Sequence, residues 1–184
     1  EWIKVVLQQD PDIILGYNIF DFDYKYLYNR AKILGIDKEF NNLGKTKWTE
    51  KREIGCGGIK KKNEELTVFK IQGLNSSAFG DNTLFYLQMF GRVSIDMYKL
   101  AQISFKLDSY KLDSVCKIYL GKSKNDLLPT EIFIKQKGTD EDRAIIAKYC
   151  IQDCALLVRL LRKLEVINNN FGMSNVCLVP FSYI

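Results

Sequence analysis

The sequence predicts an α/β domain, and three stretches carry that prediction. The apolar run Ile13-Ile14-Leu15, launched by Asp10-Pro11-Asp12, reads as a strand buried on both faces, the kind found inside a parallel sheet. Residues 90–97 alternate, with Val93, Ile95 and Met97 on one face and Arg92, Ser94 and Asp96 on the other, which is the period of a strand. Asp140-Glu141-Asp142 then opens a segment of helical period that runs to about Ile167, with its acids where the helix dipole favours them.

The remaining elements follow in order. Trp2 to Leu7 is a short amphipathic stretch that Asp10-Pro11-Asp12 ends. After Gly16-Tyr17-Asn18 the spacing turns helical, with Tyr24, Leu27, Ala31 and Leu34 on one stripe and Gly35 as the stop. Residues 37–87 read as an insertion holding a β-hairpin, with a strand at Leu66 to Ile71 among loops marked by Gly55-Cys56-Gly57-Gly58, Lys60-Lys61-Lys62 and Asn75-Ser76-Ser77. These glycines match neither a phosphate loop nor a dinucleotide fingerprint and read as turn residues. A helix is expected near Tyr98 to Ile103 and another from Ser109 to about Leu120, followed by a polar loop reaching Thr139.

Composition narrows the function. With 184 residues the chain suits one domain with room for a small appendage, and 47% hydrophobic with 27% charged residues supplies both a core and a solvated exterior. The apolar runs fall far short of the roughly 20 residues that span a bilayer, so no membrane partner is expected. Five scattered cysteines without a C-x-x-C pair fit a reducing, intracellular setting. The count of zero histidines excludes Ser-His-Asp and Cys-His catalysis together with every His-containing zinc site. Lys and Arg number 27 against 22 acids, a net charge of +5, and Asn41 to Lys70 carries eight basic residues against four acidic ones. That local excess suits a phosphate backbone, although a solvated loop has the same composition.

Carboxylates therefore carry the chemistry. On the long C-terminal helix the inward stripe is Tyr149, Asp153, Leu156 or Leu157, Leu160 and Leu164, which sets Asp153 on the apolar face one turn after Tyr149. A carboxylate so placed needs a partner: an Arg, a backbone amine or a metal ion. Asn18, Asp21 and Asp23 sit in or beside the loop at the carboxyl end of the first strand, where open α/β sheets bind ligands. Carboxylates from two elements, a Tyr beside one of them and no His match what two-metal phosphodiester hydrolysis requires. Asp96 is expected to pair with Arg92 or a loop amide, Ser109 and Tyr110 to pack and cap a helix, and Cys150 and Cys154 to be buried core thiols.

At these residues the sequence resembles the proofreading exonuclease domain of family B DNA polymerases, close to the delta-like branch. Asp10-Pro11-Asp12-Ile13-Ile14-Leu15-Gly16-Tyr17-Asn18 followed by Phe22-Asp23 is similar to the family's second exonuclease motif, and Tyr149-Cys150-Ile151-Gln152-Asp153 to its third, Y-x-x-x-D. Gly91 to Met97 and Leu107 to Leu112 resemble the intervening segments, and Val179 to Tyr183 resembles the entry to the polymerase module.

The resemblance implies a ribonuclease-H-like fold, a mixed sheet flanked by helices, over residues 1–168, with 169–184 starting the connection to a polymerase module. It makes Asp23 and Asp153 ligands of two Mg²⁺ or Mn²⁺ ions, Tyr149 the residue that orients the attacking water, Asn18 a residue that holds the DNA end or the second motif's loop, and Phe22 a contact to the DNA end. The family's first motif, D-x-E, is expected upstream of Glu1, since Glu1, Asp10 and Asp12 do not replace it. The chain then reads as a central slice of a DNA polymerase with negligible exonuclease activity by itself. Its partners would be the single-stranded 3′ end of a primer, the template, deoxynucleotides for the whole enzyme and replication accessory proteins, in the nucleus, the cytoplasm or a viral replication site. A stand-alone 3′-5′ exonuclease and an inactive DNA-binding scaffold are the alternatives.

Overall fold

The computed structural model describes residues 1–46, 67–76, 80–121 and 127–181. These fall into two compact units: Glu1–Ile14 with Asn18–Ile95, and Leu15–Tyr17 with Asp96–Ile184. The mixed α/β content matches the predicted class. The described strands form two two-stranded sheets rather than one mixed sheet.

The chain opens with helix α1 (Trp2–Gln9), which ends at Asp10 in the left-handed region and passes through Pro11 and Asp12 into strand β1 (Ile13–Gly16). Only Gly16 of β1 is fully buried and its three apolar residues are half-buried, so the strand predicted to be enclosed on both faces is not. Helix α2 (Tyr24–Ile33) buries Tyr24 and Ala31 and half-buries Leu27 on the predicted stripe; Leu34 is exposed beyond its end, and Gly35 supplies the stop at φ 67°. A short helix α3 (Asp37–Phe40) drives Phe40 into the core.

Strands β2 (Thr67–Ser76) and β3 (Gly80–Met89) pair antiparallel from Thr67 opposite Met89 to Ser76 opposite Gly80. The hairpin expected inside the insertion is therefore present and longer than the run Leu66–Ile71 indicated. Gly55 to Gly58, Lys60 to Lys62 and Ser77 lie outside the described residues. The core of this unit gathers Val6, Ile19, Tyr24, Ala31, Phe40, Leu43, Leu87 and Met89, with Ile14, Phe20, Tyr28 and Phe69 packed against it. Tyr28 lies parallel on Phe69 with ring centroids 4.0 Å apart. That stack joins α2 to the hairpin through large apolar area.

Strand β4 (Val93–Asp96) pairs with β1, and the Val93 N–H donates to the Asp12 carbonyl at 2.9 Å. Arg92, just before β4, and Asp96 at its end are both buried, and each is held by specific partners. Met97 starts helix α4 (Met97–Ser104) instead of ending the strand, because the Asp96 side chain accepts the Tyr98 N–H at 3.0 Å and caps the helix.

In the second unit, α5 (Leu112–Leu120) begins three residues later than the sequence indicated. The polar stretch before Thr139 contains an unpredicted helix, α6 (Pro129–Gln136), with Pro at its first position. The long helix divides in two: α7 (Asp140–Lys163) is followed by α8 (Val166–Cys177), with Glu165 between them at φ 52°. Helix α7 packs on α5, α6 and α8, burying Leu156, Leu157 and Leu160. Among the described residues no helix is long and apolar enough to cross a membrane.

Candidate functional site

The first group of candidate residues lies just past β1. Asn18 takes a left-handed backbone conformation at φ 63° and ψ 31°, which Asn tolerates better than other non-glycine residues. From there the chain makes one wide turn of π-helix, Ile19–Asp23, closed by the Tyr24 N–H on the Ile19 carbonyl five residues back. Such turns are rare and concentrate at functional sites. Ile19 is buried while Phe22 and Asp23 are exposed, so the turn presents the Phe-Asp pair outward from a fixed base. Phe22 is 66% exposed and Tyr26 58%, and their rings stack 6.4 Å apart at 6°. Asp21 is half-buried on the same turn.

The second group lies on α7. Thr139 caps the helix through the Asp142 N–H at 3.4 Å while the Asp142 carboxylate accepts the Thr139 N–H at 3.2 Å, a reciprocal capping box. Tyr149 and Asp153 follow on successive turns, both half-buried, and Oδ1 of Asp153 is shielded from solvent. This is the predicted stripe, continued by Leu156, Leu157 and Leu160. Cys150 and Cys154 are exposed, which corrects their assignment to the core: positions one residue from Tyr149 and Asp153 fall on the edge of the stripe. Asn18, Phe22 and Asp23 thus share one turn of the first unit, and Tyr149 and Asp153 share one helix of the second.

Several acids have other employment. Arg92 donates to Asp10 at 2.9 Å and to the Leu43 carbonyl at 2.8 Å, and also reaches the Pro11 carbonyl. Lys45 pairs with Asp12 at 2.6 Å and with Asp10 at 3.4 Å. Partial desolvation acts to raise the Asp10 carboxyl, but Arg92 and Lys45 together outweigh it and hold the group below the usual carboxylate range. Asp10 and Asp12 therefore brace the entrance to β1. Asp96 caps α4 on the Tyr98 amide, one of the two roles expected for it, and Arg92 goes to Asp10 instead. Tyr110 donates to the Phe105 carbonyl at 2.8 Å and accepts from the Leu107 amide, which is packing and turn closure. Nothing in the sequence disclosed the π-turn, which is a backbone state without a residue signature; for the left-handed residue the signal available was Asn18 itself, a type enriched in that conformation.

The family model for "DNA polymerase family B, exonuclease domain" matches residues 1–115 of the chain. The chain belongs to this family. The match takes in the π-turn with Asn18, Phe22 and Asp23, while α7 lies beyond it. Similarity to named proteins extends over the whole chain. It is 38% identical to a DNA polymerase of Pyramimonas orientalis virus, covering 100% of this chain and 19% of the viral protein. It is 38% identical to the DNA polymerase delta catalytic subunit of Dictyostelium discoideum and 37% to that of Candida albicans, covering 15% and 16% of those proteins. The chain thus spans less than a fifth of the length of the relatives it matches.

Proposed function

We propose that this chain is a segment of a family B DNA-directed DNA polymerase and carries part of its proofreading 3′-5′ exonuclease, with a ribonuclease-H-like fold. The observation that carries the reading is the exposed Asp23, directly after Phe22, at the end of a π-turn that leaves the carboxyl end of a strand. Residues 1–168 form this part and 169–184 begin the connection to the polymerase module.

Asp23 and Asp153 are the metal ligands in this proposal. Their oxygen donors are of the type that hard divalent cations such as Mg²⁺ or Mn²⁺ accept. Among the described residues no three Asp, Glu or Cys gather as a metal-holding group, and in this proposal carboxylates of an upstream D-x-E complete the donor set. When bound, the ions lower the pKa of a water and stabilise the in-line displacement. Tyr149, one turn before Asp153, orients the attacking water through its hydroxyl. Asn18 holds the 3′-terminal nucleotide, and the exposed Phe22 ring offers a face on which an unstacked base rests. The substrate is the single-stranded 3′ end of a primer; the whole enzyme also binds template, deoxynucleotides and accessory proteins.

The test is to make Asp23→Ala and Asp153→Ala separately in the full-length protein and to follow both 3′-mismatch removal and primer extension. Loss of removal with extension retained supports the assignment. Equal loss of both makes the residues structural.

A further inference from the structure

Asp23 is followed by a residue held at three points. The Tyr24 N–H closes the π-turn on the Ile19 carbonyl, its hydroxyl lies 2.6 Å from the Ser94 hydroxyl on β4, and its ring packs against Phe20 at 6.0 Å. Tyr24 is only 2% exposed and Ser94 half-buried, so the bond is partly shielded from water and its loss strands a buried phenol hydroxyl. Ser94 is in turn fixed, because β4 pairs with β1, the strand that leads into the same turn. The backbone that carries Asp23 is thereby tied from both sides to one pair of strands.

We propose that Tyr24 and Ser94 are positioning residues for Asp23: their hydroxyl–hydroxyl bond sets the direction of the turn that presents the carboxylate. Neither touches the reacting atoms. The inference rests on the assignment of Asp23 as a metal ligand. The direction in which a wide turn presents its carboxylate depends on how its backbone is anchored, and a part-buried bond one residue away anchors it. A displacement of about 1 Å at a catalytic group is enough to cost about 100-fold in rate, so so short a lever can govern the chemistry.

The experiment compares Tyr24→Phe, Ser94→Ala, Ser94→Thr and Tyr24→Phe/Ser94→Ala with Asp23→Ala in the full-length protein, measuring single-turnover excision, KM for a 3′-mismatched primer, half-saturating Mg²⁺ and thermal denaturation. The expected result is a fall in excision rate of roughly 10-fold for Tyr24→Phe and for Ser94→Ala, with no further fall in the double variant, because each removes the same bond. Half-saturating Mg²⁺ rises, KM for DNA stays unchanged and Ser94→Thr restores the rate. Unchanged excision and unchanged half-saturating Mg²⁺ in Tyr24→Phe, with Asp23→Ala inactive, overturns the positioning role alone. A rate loss that only tracks a lowered melting temperature, without a change in half-saturating Mg²⁺, also overturns it. An active Asp23→Ala removes the assignment underneath and the inference with it.

Discussion

Arg92 and Asp10 form an ion pair of 2.9 Å in which the Arg92 side chain is 2% exposed and that of Asp10 is 62% exposed. The asymmetry decides which partner matters. The guanidinium spends its donors on the Leu43 and Pro11 carbonyls as well as on Asp10, so its removal leaves several groups without partners at once. Removing the carboxylate leaves a cation that still has two carbonyls. Arg92→Ala should therefore destabilise the protein by about 3 kcal/mol, and Asp10→Asn by under about 1 kcal/mol. Denaturant melts of the two variants check this, and equal losses would contradict it.

The turn before Arg92 is tight enough to require glycine. Gly91 sits at φ 84°, and a Cβ there would lie 2.8 Å from the Lys45 Cβ and 3.4 Å from the Thr46 backbone nitrogen. Both the Lys45 and Thr46 amides donate to the Phe90 carbonyl, so that backbone has little freedom to retreat. Gly91→Ala should cost about 2 kcal/mol or more, from left-handed strain and the clash together. A melting temperature within a degree of the parent would show that the turn relaxes.

Stability should fall at both ends of the pH range, for opposite reasons. The Thr139 amide and Lys135 hold the Asp142 carboxyl below its ordinary value, and Arg92 and Lys45 do the same for Asp10. A lowered carboxylate contributes above its unfolded pKa and is lost as pH falls through the folded one, so this loss begins below about pH 4. At the other end, burial, with Cys116, Tyr98 and Asp96 adding to it, pushes the Tyr17 phenol above its ordinary value. A raised phenol contributes below its unfolded pKa and is lost as pH climbs, here above about pH 10. Thermal melts across both ranges should show the alkaline loss flattened in Tyr17→Phe and the acid loss flattened in Asp10→Asn; unchanged slopes would refute the assignments.

Asn18 separates backbone from side-chain roles. Its left-handed conformation suits glycine at least as well, so Asn18→Gly adds no backbone strain. If the amide holds the 3′-terminal nucleotide, the same variant should weaken binding of a single-stranded primer end about 10-fold, a loss of one hydrogen bond. Primer binding by fluorescence anisotropy checks it, and unaltered binding would remove the nucleotide contact.

Much of this was legible in the sequence where side-chain period decides structure. The α7 stripe from Tyr149 through Leu160, the start of that helix at Asp140 and the hairpin all follow from spacing and capping chemistry. What escaped is what backbone geometry or distant partners decide. The break at Glu165 between α7 and α8 has no Pro or Gly to mark it. Arg92 and Asp96 are assigned by spacing to one face of a strand, but the partners that hold them, Asp10 and the Tyr98 amide, one of them distant in sequence, do not follow from it. The π-turn at Ile19–Asp23 reads in the sequence as the loop before the stripe that starts at Tyr24, because five residues are too few for a countable periodicity.

The central proposal is that Asp23 and Asp153 are each metal ligands in 3′-terminal excision. It is tested most directly by rapid-quench measurement of nucleotide release from a single-stranded 3′ end by the full-length protein, as a function of Mg²⁺, for Asp23→Ala, Asp153→Ala and the double variant. The account predicts metal-dependent release that falls at least ~1,000-fold in each single variant and in the double. Release within about 10-fold of the parent in either single variant would contradict it.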